Sequence, residues 1–162
     1  MSEILSIISQ DRPSTVPATR QLGARGESLA VDYLTKQGYR IAVTNFTAPI
    51  GRNSRGVSVT GEIDIIAVDG ETICFVEVKT RRSDEFAPLI ASVNLRKQRQ
   101  IIRTARVYRR IFNLSGVPNR FDVVTVLIPG HAAASIDLIK GLFSEAKFRK
   151  RSWNEPAGFG VP

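Results

Sequence analysis

Hydrophobic positions along the chain change period several times, and each change marks an element. Leu22, Gly26, Ala30, Tyr33 and Leu34 recur at helical spacing and predict a helix over residues 20–37, with Gly38 as its stop. Residues 39–46 read as a strand. Residues 47–60 read as a loop with Pro49, Gly51, Asn53 and Gly56, and with Arg52 and Arg55 to lie over a ligand. Residues 61–68 form a strand pattern, Asp69-Gly70 a hairpin turn, and residues 72–80 a returning strand rich in β-branched and aromatic side chains. A long helix follows over 92–112 and ends in 113–119, where Gly116 and Pro118 lie. Strands are expected at 121–128 and 135–139. This order predicts a single α/β (α+β) domain with a mixed β-sheet flanked by α-helices. Its expected extent is 19–144, between a disordered leader (1–18) rich in Ser, Thr and Pro and a basic disordered tail (145–162).

Composition narrows the chemistry. The chain has 162 residues, 43% hydrophobic and 23% charged, enough for one cored domain. No apolar run approaches the roughly 18 residues that cross a bilayer, and the first ten residues lack the basic start of a signal peptide, so a cytoplasmic location without membrane attachment is expected. The single cysteine, Cys74, excludes an internal disulfide and a thiolate zinc cluster. The single histidine, His131, lies in a loop pattern. Histidine-based and Ser-His-Asp hydrolase machinery is therefore absent, and any catalysis runs on carboxylates, lysine, arginine and a hard metal ion.

The net charge is +8, and residues 86–121 hold eight cations and no acid, so the excess is concentrated in one element. A polyanionic partner, nucleic acid above all, fits such a concentration; a merely solvated basic helix is the alternative. Arg96, Arg99, Arg103, Arg106 and Arg110 step by three and four into one stripe suited to a phosphate track. Lys97, Ile101, Ala105, Tyr108 and Phe112 form a second, mostly apolar stripe that should pack on the sheet. Lys97 either snorkels to solvent or points from the helix end toward the acids of the hairpin, and the second reading is favoured.

Those acids carry the candidate site. With Asp69-Gly70 as a two-residue turn, Val68 pairs with Glu71, Asp64 lies opposite Phe75, and Glu62 lies opposite Glu77. Glu62, Asp64, Glu77 and Lys79 then project from one face, with Asp64 and Glu77 diagonal neighbours roughly 7–8 Å apart at the backbone. Acids on an otherwise apolar strand repel one another unless a cation pairs them. Mg²⁺ (or Mn²⁺) suits, because it binds through one or two carboxylates and completes its shell with water and phosphate. A cross-strand salt-bridge ladder on an exposed face is the plain alternative. Glu27, on the first helix between small residues, is placed to join the same site or to pair with Arg25.

Four segments, Gly23-x-x-Gly26-Glu27, Gly61-Glu62-Ile63-Asp64, Phe75-Val76-Glu77-Val78-Lys79-Thr80-Arg81 and Arg120-Phe121-Asp122-Val123-Val124, occur in that order. Together they resemble the YraN-like family of bacterial endonuclease-like proteins, a branch of the PD-(D/E)XK, restriction-endonuclease-like superfamily. The resemblance spans roughly 22–139. It implies Asp64 and Glu77 as the motif's acids, Lys79 as its lysine and Glu27 as the helix glutamate. The family layout is also similar to archaeal Holliday-junction resolvases, which implies branched or structured DNA. The chain departs from the family pattern in its long insert before Gly61, its leader, and Asp137 near the last strand, where relatives tend to carry histidine.

The expected function is thus a metal-dependent phosphodiesterase acting on DNA. Asp64, Glu77, the Val78 carbonyl, Glu27 and Glu62 are the candidate metal ligands, and Lys79 positions water. Arg81, Lys97 and the arginine stripe hold phosphates. The alternative is a non-catalytic nucleic-acid-binding or adaptor protein on a nuclease fold; a structural protein docking an acidic partner stands third. Many nucleases of this type act as homodimers.

Overall fold

The computed structural model describes residues 17–83, 93–130 and 133–148; the leader, His131 and the chain beyond 148 lie outside them. Helix α1 (Ala18–Lys36) leads into β1 (Arg40–Arg52), β2 (Ser58–Asp69) and β3 (Thr72–Arg81). Helix α2 (Leu95–Ile111), β4 (Asn119–Leu127), β5 (Ser135–Phe143) and a short 3₁₀ turn (Glu145–Phe148) complete the domain. The strands form one five-stranded mixed sheet in chain order. All neighbours are antiparallel except β3 and β4, which run parallel because α2 carries the chain back between them. The result is a single mixed α+β domain consistent with a restriction-endonuclease-like fold.

The sheet is covered on both faces. Ala30 and Leu34 of α1 pack with Ile65, Cys74, Val76, Val124 and Val126. Ile101, Ile102, Ala105 and Tyr108 of α2 pack on the other face with Ile66, Phe75, Phe121 and Val123. Two-sided burial explains why β3 and β4 read as near-continuous apolar runs. α2 starts at Asn94, whose side chain caps the Lys97 N–H at 3.0 Å. It ends at Asn113, in the left-handed region at φ 56°, where the Leu114 N–H closes the last turn on the Arg109 carbonyl. Among the described residues no helix is long and apolar enough to cross a membrane.

Four sequence expectations are corrected. The expected loop over 47–60 is mostly strand: β1 runs on to Arg52 and pairs with β2 as far as Arg52↔Ser58, making a long two-stranded arm. Alternation is masked there by Pro49 and Gly51, which sit at a register shift. β5 continues to Phe143 instead of ending at 139, and residues 145–148 of the expected tail form an ordered turn. The β2–β3 register also differs. Asp69 pairs with Thr72, so the turn residues are Gly70 and Glu71, with Gly70 at φ 60° supplying the left-handed first position. Asp69 stays in the strand because its carboxylate accepts hydrogen bonds from Arg120 at 2.6 Å and Lys140 at 3.2 Å.

Candidate metal and nucleic-acid site

Moving the turn by one residue changes each opposing partner by two, so the face of every side chain survives but its neighbour does not. The ladder ends at Ile65↔Val76, and the same register carried one step further would set Asp64 against Glu77 in place of Phe75. There β2 leaves β3. The Val78 N–H, which would have continued the ladder, donates instead to Asp64 Oδ2 at 2.7 Å. N–H and C=O of one strand residue point to the same edge, so the Val78 carbonyl faces the gap that β2 opens.

The strands also switch faces at this point. Ile63 and Ile66, three residues apart, both join the α2-side core, whereas Ile65 between them joins the α1 side. On β1, Val43 and Phe46 repeat this pattern. Asn45 lies between them in the left-handed region at φ 53°, across from Asp64 in an otherwise unbroken stretch of register. Beyond the switch, Gly61 faces α2 so closely that a Cβ there would lie 2.0 Å from Thr104 Oγ1. Glu62, flanked by the inward Gly61 and Ile63, is exposed on the other side and does not stand across from Glu77.

Glu77 is 2% exposed. Its Oε1 receives Lys79 Nζ at 2.7 Å and Lys97 Nζ at 3.0 Å. Its Oε2 is buried without a hydrogen-bond partner among the described residues. Burial, and then the charge of Glu77, push Asp64 up to about 7, against the Val78 N–H and Lys97; Glu27 adds a smaller push in the same direction. Glu27 therefore lies within electrostatic reach of Asp64. It is carried there by Gly26, which packs so tightly on β3 that a Cβ would lie 1.8 Å from Thr80 Oγ1. Lys97 points at the carboxylates, the favoured of its two sequence readings. Burial opposes its charge most strongly, but Glu77, by charge and hydrogen bond, with Asp64 and Glu62 behind it, raises the Lys97 pKa above the usual lysine value.

The structure thus brings Asp64, Glu77, Lys79 and Lys97 together, with Glu27 further out and Glu62 exposed on the other side, in electrostatic reach of Lys97 but not across from Glu77. Among the described residues, no three acids, histidines or cysteines draw into one cluster. The arginine stripe is exposed along α2, yet part of it serves the fold. Arg103 donates to the Ile50 carbonyl of the arm, Arg106 pairs with Glu145 at 3.1 Å, and Arg99 lies 5.3 Å over the Phe148 ring. Arg96 and Arg110 have no partner among the described residues. Arg81 is half-buried at the end of β3.

Sequence reasoning missed Asn45, whose signal was only that Asn tolerates left-handed backbone, and the role of Arg120-Phe121-Asp122. Asp122, 1% exposed, accepts Arg120 Nε at 3.0 and 2.9 Å and the Gly141 N–H at 2.8 Å, while Arg120 also reaches the Tyr39 hydroxyl at 2.7 Å. That network ties the hairpin tip to β4, β5 and the start of β1, away from the acid pair.

The model of the family described as "Uncharacterised protein family UPF0102" matches residues 26–126, a stretch that holds Glu27, Asn45, Asp64, Glu77, Lys79, Lys97 and Asp122. A "UPF0102 protein" of Geotalea uraniireducens is 42% identical over 138 residues, covering 85% of this chain and 98% of that protein. One of Caldicellulosiruptor bescii is 44% identical over 127 residues (76% and 98%), and one of Chlorobaculum parvum 46% over 110 residues (68% and 78%). A solved structure titled "Crystal structure of SSO0001" aligns at TM-score 0.38 and 17% identity, over 82% of this chain and 56% of that one, too distant to carry an argument.

Proposed function

The chain belongs to the uncharacterised protein family UPF0102, and from that premise we propose that it is a metal-dependent phosphodiesterase of the PD-(D/E)XK type acting on nucleic acid, DNA above all. The observation that carries this reading is the state of Glu77. A carboxylate 2% exposed, with one oxygen shared by two ammoniums and the other without a hydrogen-bond partner among the described residues, stands beside a second acid whose pKa is pushed up to about 7. Burying a charge with an unsatisfied oxygen is costly, and a fold tolerates it where a ligand completes the set.

The residues fit a hard divalent cation. Asp64, Glu77 Oε2, which has no hydrogen-bond partner among the described residues, and the Val78 carbonyl are hard oxygen donors on adjoining positions where β2 leaves β3, the donor type that Mg²⁺ or Mn²⁺ takes. When bound, such an ion supplies charge stabilisation at a phosphoryl oxygen and acidifies water. Lys79, anchored beside Glu77, orients the attacking water and offsets charge developing on the phosphoryl group. Glu27 adds negative potential from α1. The exposed α2 arginines and Arg81 hold backbone phosphates along the approach.

The test is a nicking assay on branched, single-stranded and duplex DNA with Mg²⁺, Mn²⁺ or chelator, using the intact chain and Lys79→Ala. Metal-dependent cleavage that Lys79→Ala loses while retaining DNA binding is the expected result. A second reading, a non-catalytic nucleic-acid-binding protein on the same fold, draws on the two lysines already neutralising Glu77. Salt-sensitive binding with no cleavage of any substrate would favour it.

A further inference from the structure

Two ammonium groups converge on one oxygen of Glu77, and they are not equivalent. Lys79 lies two residues along the same strand, so β3 itself holds it there. Lys97 comes from another layer, the first turn of α2, three residues after the capping Asn94. That turn contains no acid and a second cation, Arg96. The positive end of the helix dipole disfavours cations there, so Glu77 is what holds the Lys97 ammonium in place.

The charge balance gives this contact a consequence. Asp64 and Glu77 contribute two negative charges when ionised, and Lys79 and Lys97 two positive ones. Within these four groups the charges cancel, so a divalent ion is drawn in only by the more distant Glu27 and Glu62. Releasing Lys97 from Glu77 restores one negative charge and frees the Oε1 flank, beside the oxygen that has no hydrogen-bond partner among the described residues. Lys79, two residues along the same strand, has no helix dipole acting against its ammonium.

We propose that Lys97 is a displaceable counter-ion: its ammonium stands in for a divalent metal ion on Glu77 and leaves that carboxylate when the ion binds. This rests on the metal-dependent reading above. It makes Lys97 a positioning residue that sets how strongly the site takes metal, and it couples metal loading to the N-terminal end of the arginine-bearing helix.

The experiment is Mn²⁺ calorimetry on the full chain, on Lys97→Met and on Asp64→Asn, each checked for folding by circular dichroism. Expected are about tenfold tighter Mn²⁺ binding by Lys97→Met than by the unchanged protein, since a competing charge is removed, and loss of binding in Asp64→Asn. Equal or weaker binding by folded Lys97→Met, with Asp64→Asn still losing it, overturns the counter-ion and leaves the metal site standing. Absence of Mn²⁺ binding in both the unchanged protein and Lys97→Met overturns both readings. A second measurement needs no variant: the ¹⁵N ammonium resonances of the unchanged protein, titrated with Mg²⁺. Lys97 is expected to lose its ordered, slowly exchanging signal; a signal unchanged at saturating Mg²⁺ overturns the proposal.

Discussion

Asn45 stands opposite Asp64 across the β1–β2 ladder, and both strands change faces at that rung without losing register. Asn45 achieves this with φ 53°, a conformation Asn adopts more readily than most side chains. The switch lets β2 peel away from β3, leaves the Val78 N–H for Asp64, and turns the arm toward α2. Asn45→Ala is expected to cost about 1 kcal/mol, and Asn45→Gly much less. Urea unfolding with an unchanged m-value checks this; equal loss in both variants would place the effect elsewhere.

The acid pair predicts a pH dependence whose sign follows from the raised Asp64. Its folded pKa, about 7, exceeds the usual carboxylate value, so the folded state binds the proton more tightly than the unfolded chain. That contribution is fully present below about pH 4 and is lost as pH rises through about 7. In chelator, the unchanged protein should therefore lose stability relative to Asp64→Asn between about pH 4 and about pH 7, as measured by urea titrations at each pH. Parallel curves for the two proteins would contradict the raised value.

Gly26 and Thr80 set the spacing that brings Glu27 toward the acids. Gly26→Ala places a Cβ 1.8 Å from Thr80 Oγ1 and 2.7 Å from its Cβ, so α1 must lift from β3. A net loss of about 1–3 kcal/mol is expected despite the better helix propensity of alanine. Adding Thr80→Ala should recover part of it. Fully additive losses in thermal unfolding would mean the two positions do not meet.

Asp122 is a buried carboxylate held by Arg120 and the Gly141 N–H. Asp122→Ala leaves Arg120 with Asp69 and Tyr39 alone and should destabilise the fold by about 3–5 kcal/mol. Cleavage per folded molecule is expected to persist, since the network lies apart from Asp64 and Glu77. Chemical denaturation and activity corrected for folded fraction separate the two effects.

For nucleic acid, Arg96→Gln with Arg110→Gln should lower the slope of log affinity against log salt by about 2 if each side chain neutralises one phosphate. Arg106→Gln is expected to act less cleanly, because Arg106 also pairs with Glu145. Filter binding across a salt series reads both.

The local pattern was enough for much of this protein. The periods of α1 and α2 and the apolar runs of β3 and β4 are written in consecutive residues, because a helix face or a twice-covered strand must be apolar wherever it packs. Asp64, Glu77 and Lys79 could be placed on one side of a hairpin for the same reason: side-chain parity survives a turn displaced by one residue, since partners then shift by two. Tertiary structure decided the rest. Asp69 is held in its strand by Arg120, 51 residues away, and that contact chooses which two residues turn. The face switch at Asn45 and Asp64 takes Glu62 out of the acid set, and no local periodicity announces it. Lys97 reaches Glu77 only because α2 crosses that face of the sheet. The hairpin's parity is a property of the chain, whereas which charge neutralises which is fixed by elements far apart in sequence, whose distances exist only once the layers have packed.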